Sequence, residues 1–273
     1  MTTLTAPAPR RTTHVASPYR LNFARIVRSE WIKLATLRST WWSIGLTAVL
    51  TIGIAVLVAL SMTSAPGFEP IQAVVSPVQF TMLLAGILGV ISVTGEYSTG
   101  MIRSTFTAVP VRGAVLAAKS IVVAVLLFVS SLVILSAAAL IVTAIVADNA
   151  IPFDWSTPEA STLPILATSV SLAVFALIGV AFGFLLRSGA GAIAATVGLL
   201  LILPIVANIF AMPAAGWEWI TDVTNHLPMT AAQSAILPQD GWGLPVGEAY
   251  LTLAAWVAAG MLGSWAVLRT RDA

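Results

Sequence analysis

Along this chain, apolar and polar stretches alternate on the scale of whole helices. Six stretches of at least 20 mostly apolar residues stand out: Trp41–Met62, Ile71–Thr94, Ser120–Ala147, Leu163–Leu186, Ser188–Met212 and Ala249–Leu268. About 20 apolar residues in a helix cross the hydrocarbon core of a bilayer. The pattern therefore predicts an all-α integral membrane protein with six spans. A turn near Arg187-Ser188-Gly189 is all that separates the fourth span from the fifth.

Two polar-rich segments interrupt the pattern differently. Residues 20–40 place Phe23, Ile26, Val27, Trp31, Leu34 and Leu37 on one face and Arg25, Arg28, Ser29 and Lys33 on the other, at about 100° per residue. This is a basic amphipathic helix suited to a headgroup layer. Glu30 falls inside its apolar face, where lipid contact alone would not place it. Lys33, three residues on, is in reach to pair with it. Two readings stand for this helix: plain anchoring, or contact through Glu30 with another protein element. Residues 95–119 form the second segment. Pro110 should end a helix near Ala108–Val109, leaving a short helix over about Thr99–Ala108 between two turns. Two readings stand here also: a loop held at the lipid surface, or a lobe that meets a soluble partner.

Composition agrees with a membrane class. Of 273 residues, 58% are hydrophobic and only 9% charged, whereas soluble domains carry roughly 25% charged residues. Residues 1–18 are polar and Pro-rich and read as a disordered tail, with the first apolar run too late for a signal peptide. There is no Cys, which removes disulfides, thiolate metal sites and a Cys nucleophile.

Charge fixes an orientation. Arg10, Arg11, Arg20, Arg25, Arg28, Lys33 and Arg38 precede the first span. Arg103, Arg112 and Lys119 lie between spans two and three, Arg187 between four and five, and Arg269 and Arg271 after six. These are all 13 Lys and Arg of the chain, and with six spans they fall on one side. The positive-inside rule makes that side, with both termini, cytoplasmic. The opposite loops hold Glu69, Asp148, Asp154, Glu159, Glu218, Asp222, Asp240 and Glu248 and no cation. Trp41, Trp42 and Trp265 would then lie at the inner interface, and Trp155, Trp217, Trp219 and Trp242 near the outer one, as aromatic belts do.

Chemistry is sparse. No ionisable residue falls within the core of a span as bounded above, which argues against a proton-driven carrier. The two histidines, His14 and His226, belong to no H-E-x-x-H motif, and no G-x-S-x-G occurs, so metal and serine-hydrolase sites lack their parts. Residues 112–120, Arg-Gly-Ala-Val-Leu-Ala-Ala-Lys-Ser, resemble a phosphate loop, but Ala118 replaces its second Gly and no strand precedes it. Backbone N–H groups there could not wrap a phosphate. Lys119 reads instead as a positive-inside anchor at the start of span three. Within the spans, Gly179-x-x-x-Gly183 fits close helix approach, and Pro204 should kink span five four residues before Asn208.

Several of these stretches together resemble ABC-2-type transporter permeases, the membrane subunits of bacterial ABC exporters. They are Ser29-Glu30-Trp31-x-Lys33-Leu34-x-Thr36-Leu37-Arg38-Ser39-Thr40, Gly95-Glu96-Tyr97-x-x-Gly100-x-Ile102-Arg103, Val109-Pro110-x-Arg112, Ala118-Lys119, Leu186-Arg187-Ser188-x-Ala190-Gly191-Ala192 and Leu227-Pro228-x-x-Ala231. They run through nearly the whole chain after residue 20. Thr99-Gly100-Met101 departs from the family's common Gly followed by Thr. The resemblance implies a six-helix ABC-2-type transmembrane domain over 19–273 in the bacterial cell membrane. It implies pairing with a second permease copy or paralogue, and docking on a separate ATPase subunit that holds ATP and Mg. This chain itself would bind no cofactor, metal or nucleic acid and would not be an enzyme.

On that resemblance, the amphipathic helix and the 95–119 lobe face the ATPase, with Glu30, Glu96, Tyr97, Arg103, Pro110 and Arg112 as coupling residues. Gln79, Phe80, Asn208 and Phe210, together with Met82, are candidates to line a largely apolar substrate path. The outer segment 213–245, with Trp217, Trp219, His226 and Pro228, would form an external gate. An ion-coupled or passive carrier without an ATPase is the alternative.

Overall fold

In the computed structural model, residues 22–63, 66–148, 151–211, 218–239, 241 and 243–270 are described. The 1–18 tail, Arg20, Met212, Trp217, Asp240, Trp242 and Arg271 lie outside them. Every regular element among the described residues is a helix. Six helical stretches are long and apolar enough to cross a membrane: Arg38–Met62, Pro70–Ser98, Arg112–Ala147, Thr162–Leu186, Gly189–Phe210 and Val246–Thr270.

Helix α1, Phe23–Thr36, starts where the Asn22 side chain accepts a hydrogen bond from the Ala24 N–H at 3.3 Å, a normal N-cap. A single extended residue, Leu37, separates it from α2, Arg38–Met62. The Trp41 indole N–H reaches back across this joint to the Ala35 carbonyl at 2.9 Å.

Span two is broken. Helix α3, Pro70–Val75, stops at Ser76-Pro77 and α4 runs Val78–Ser98. Pro77 has no N–H and its ring would clash with the Ala73 carbonyl. The Ser76 hydroxyl donates to that carbonyl at 3.0 Å instead. After Gly100, in the left-handed region at φ 71°, comes the short helix α5, Met101–Ala108, stopped just ahead of Pro110.

Helix α6 then spans Arg112–Ala147. It begins eight residues earlier than the apolar run at Ser120, because nothing between Arg112 and Lys119 opposes a helix once Pro110 is passed. At 36 residues it is about 54 Å long, far more than the ~30 Å hydrocarbon core, so its ends project. The stretch that resembles a phosphate loop is thus two helical turns.

The centre of the bundle is the crossing of α4 with α7, Thr162–Leu186. Their spans are the most buried, at 61% and 67%, whereas α2 and the last two spans are 22% or less. Glycines make the crossing possible. A Cβ on Gly89 would sit 2.0 Å from the Ala176 carbonyl oxygen, and one on Gly179 2.0 Å from that of Gly86. Gly183 meets Val93 on the same line. The close approach expected of Gly179-x-x-x-Gly183 is therefore present, with α4 as its partner.

Arg187, in the left-handed region at φ 53°, ends α7, and the Ser188 hydroxyl caps the next helix. Span five is α8, Gly189–Val197, a π-helical turn at Gly198–Ile202, and α9, Leu203–Phe210. In that turn the Leu203 N–H donates to the Gly198 carbonyl. The wider turn lets the chain accommodate the Pro204 ring, which a regular helix would drive into the Leu200 carbonyl. Two short helices follow, α10, Glu218–Asn225, and α11, Pro228–Ile236, before α12, Val246–Thr270. Most of α11 is buried against α7 and α12, so this part of the 213–245 segment is tucked into the bundle.

Candidate functional site

One end of the bundle gathers α1, the α4–α5 turn, the start of α6, the α7–α8 turn and the end of α12. All described Lys and Arg cluster here, and it is called the basic end below; the other is the acidic end. Four charged side chains meet inside the basic end. Glu30 and Lys119 are each 1% exposed and Glu96 is 4%; Lys33 is half-buried.

Lys119 Nζ lies 2.5 Å from Glu30 Oε2 and 2.7 Å from Glu96 Oε1, and donates to the Ser92 carbonyl at 3.1 Å. Its approach to Glu30 Oε2 is an ion pair without hydrogen-bond alignment. Lys33 Nζ lies 2.6 Å from Glu30 Oε1, 3.1 Å from Glu96 Oε1 and 3.3 Å from the Thr105 hydroxyl. Thr105 in turn donates to Glu96 Oε2 at 3.2 Å. Each ammonium, with three N–H groups, thus has three oxygen neighbours, and each carboxylate touches both lysines.

The ring carries no net charge and joins α1, α4, α5 and α6. Burial alone would lower the Lys33 pKa. The hydrogen bond to Glu30 and the charges of Glu30 and Glu96 outweigh it and hold Lys33 above its ordinary 10.5.

The pairing of Glu30 with Lys33 is as its i,i+3 spacing predicted. The element Glu30 contacts is α6 of its own chain. The anchor reading of Lys119 is overturned: its ammonium is buried among carboxylates and does not sit among headgroups. The statement that no ionisable residue lies in a span also changes, because α4 continues past Thr94 through Glu96 and α6 starts before Lys119. The sequence held a usable signal. Val115, Leu116, Lys119, Val122 and Val123 share one helical face and all are buried, so Lys119 sits on an apolar face as Glu30 does. Two opposite charges on two apolar faces are complementary.

Around the ring, aromatic and arginine contacts tie the rest of this end together. Arg112 donates to the Leu268 carbonyl at 2.9 Å and lies over the Phe106 ring at 5.5 Å. Tyr97 stands edge-on to Phe184 at 6.4 Å, with the Arg187 guanidinium 5.5 Å from its ring centre. Its buried hydroxyl has no hydrogen-bond partner among the described residues. Of the coupling residues inferred above, Glu30 and Glu96 are enclosed, Tyr97 and Arg112 half-buried, and Arg103 and Pro110 exposed.

The other inferred residues lie apart from this ring. Gln79 and Phe80 are exposed at the start of α4, just past the break. Met82 is packed in the core. Asn208 and Phe210 are exposed on α9, with the Asn208 amide donating to the Pro204 carbonyl at 2.8 Å. Trp219 is exposed and Pro228 is buried at the start of α11. His226 is exposed, its Nδ1 2.7 Å from the Asp222 carbonyl, and its own carbonyl accepts from the Trp256 indole at 2.9 Å. Among the described residues, no three His, Asp or Glu side chains converge to hold a metal ion. No protein-family model and no curated protein matches the chain.

Proposed function

We propose that this chain is the membrane subunit of an ABC exporter of the ABC-2 type, driven by ATP hydrolysis on a separate subunit. The observation that carries this reading is the charge ring. A short helix hung outside the spans is useful for coupling only if its displacement reaches the bundle. Here α5 and α1 are joined through Thr105, Glu96, Lys33, Glu30 and Lys119 to the ends of spans two and three. A push on α5 would move α1, α4 and α6 together.

In this reading the exposed Arg103 and Pro110 face the ATPase. Glu30, Glu96, Tyr97 and Arg112 position the lobe from inside. The basic end is cytoplasmic, in the plasma membrane of a bacterium. The lightly buried α2, α8–α9 and α12 leave apolar faces for lipid and for a second permease copy. Substrate passes near Gln79, Phe80, Asn208 and Phe210, and the α10–α11 segment gates the outer side.

A proton-coupled carrier draws on the same residues, because Glu96 and Lys119 are ionisable groups within spans. Their engagement in ion pairs speaks for a structural role.

The test uses the full chain co-expressed with a nucleotide-binding subunit from its own genome. Co-purification, loss of it on Arg103→Glu, and ATP-dependent efflux insensitive to a protonophore are expected. Protonophore-sensitive efflux with no ATPase retained would replace this reading with the carrier.

A further inference from the structure

At the acidic end, a cavity of about 370 Å³ opens where the break in span two faces α11. Four glutamines line it: Gln72 on α3, Gln79 at the start of α4, Gln233 on α11 and Gln239 just beyond. No hydrogen bond within the described residues engages any of the four amides. Ser234, also at the wall, is already used, accepting from the Leu244 N–H at 3.2 Å and donating to the Thr230 carbonyl at 3.1 Å. Val75, Val78 and Ile236 supply apolar wall between the amides, and no described residue lining the cavity is ionisable.

We infer that this cavity binds an uncharged, amide-rich ligand, the chemistry of a blocked or cyclic peptide. A glutamine side chain carries two N–H donors and a carbonyl in one plane, so it can accept from the N–H and donate to the C=O that flank one Cα of an extended peptide. Several such side chains with no competing partner match a ligand that repeats that group. The absence of charge among the described lining residues disfavours ionised termini, which would lose hydration without gaining a counter-ion. The aliphatic wall suits apolar side chains between the amides. Size agrees, since small-molecule sites run from about 300 to 1,000 Å³. The break in span two helps to make the site. It ends α3 at Val75, so that Gln72 and Gln79 reach the cavity from two separate helices. Interrupted spans mark binding sites in other transporters.

Binding rests on this geometry alone; taking the ligand as exported cargo rests on the export reading. The experiment separates the two. Purified full-length chain in nanodiscs is titrated with radiolabelled acetyl-Leu-Leu-Leu-methylamide. Saturable binding is expected, at least tenfold weaker for the same tripeptide with free termini and for its N-methylated form. Gln79→Leu and Gln233→Leu should each weaken binding about tenfold, while Gln79→Asn, which keeps an amide, retains part of it. All three are compared at matched melting temperature. Absence of saturable binding to the wild type, or equal binding by the N-methylated peptide or by both leucine variants, overturns the assignment. Binding as expected without ATP-driven efflux of the peptide would leave the site standing and count against the export reading.

Discussion

The two ends of this bundle solve the placement of polar groups in opposite ways. At the basic end, charge is buried and cancelled. Two lysines and two glutamates enclose one another, and removing Lys119 leaves both buried carboxylates to Lys33 alone. At the acidic end, the amides that face the cavity are neutral and unengaged among the described residues. Glutamine amides face a cavity and short helices abut broken spans. Buried ion pairs add little stability over apolar packing, but breaking one by removing a single partner is costly. They therefore specify one arrangement strongly. Unpaired amides at an open cavity specify nothing about the fold and are free to meet a ligand. One end is built to hold a fixed shape and the other to be occupied.

The largest effect should come from Lys119→Met. It leaves Glu30 and Glu96 buried with Lys33 alone, and should cost about 3–5 kcal/mol. Early trypsin cleavage near α1 and a much lower melting temperature are the readouts. Adding Glu30→Gln should recover part of the loss, with a coupling of about 1–3 kcal/mol. If the double variant is no better than the single, the ring is not one unit. The core crossing tests whether both ends hang on a common centre. Gly179→Ala drives a methyl into the Gly86 carbonyl and should cost about 3 kcal/mol, loosening both ends alike in protease maps. Damage confined to one end would divide the bundle.

A smaller effect is expected from Lys33→Met. The Lys33 side chain is 23% exposed against 2% for Lys119, so solvent screening reduces the loss to about 1 kcal/mol. Its folded pKa is raised above 10.5, so its contribution is complete below the unfolded pKa and disappears as pH rises through the folded one. The melting gap between wild type and this variant should therefore be constant from neutral pH up to about pH 10 and close above it. A gap that widens there would reverse the assigned sign. The smallest effects belong to Tyr97→Phe and Gln79→Leu. Neither side chain has a hydrogen-bond partner to lose within the described residues, so both should stay within about 0.5 kcal/mol of wild type. A large loss for Gln79→Leu would show that the acidic end is structural after all.

Much of the fold was legible because hydrocarbon imposes one dominant requirement. Twenty apolar residues make a span whatever their order, so the six spans could be read from windows of sequence. Pro110 set the end of α5, and Gly179 with Gly183 announced a close crossing. What escaped was set by distant partners. The start of α6 was misplaced because apolar character begins at Ser120 while helical character begins at Arg112. A lysine beside a span is usually an anchor, and that local rule misassigns Lys119. Its partner Glu30 is about 90 residues away, and only the packing of α1 on α6 brings them together. The four glutamines are likewise scattered, and no local pattern unites them.

The order in which the ring's members are synthesised has a consequence for how the chain matures. Glu30, Lys33 and Glu96 leave the ribosome before Lys119. At about 5–20 residues per second, the amphipathic helix waits roughly 5–20 s for its final counter-ion. Once Glu96 has been made, and until Lys119 follows, these groups carry one surplus negative charge. Only when the third span begins to emerge can that half close, so the lysine that starts that span also times the assembly of everything made before it.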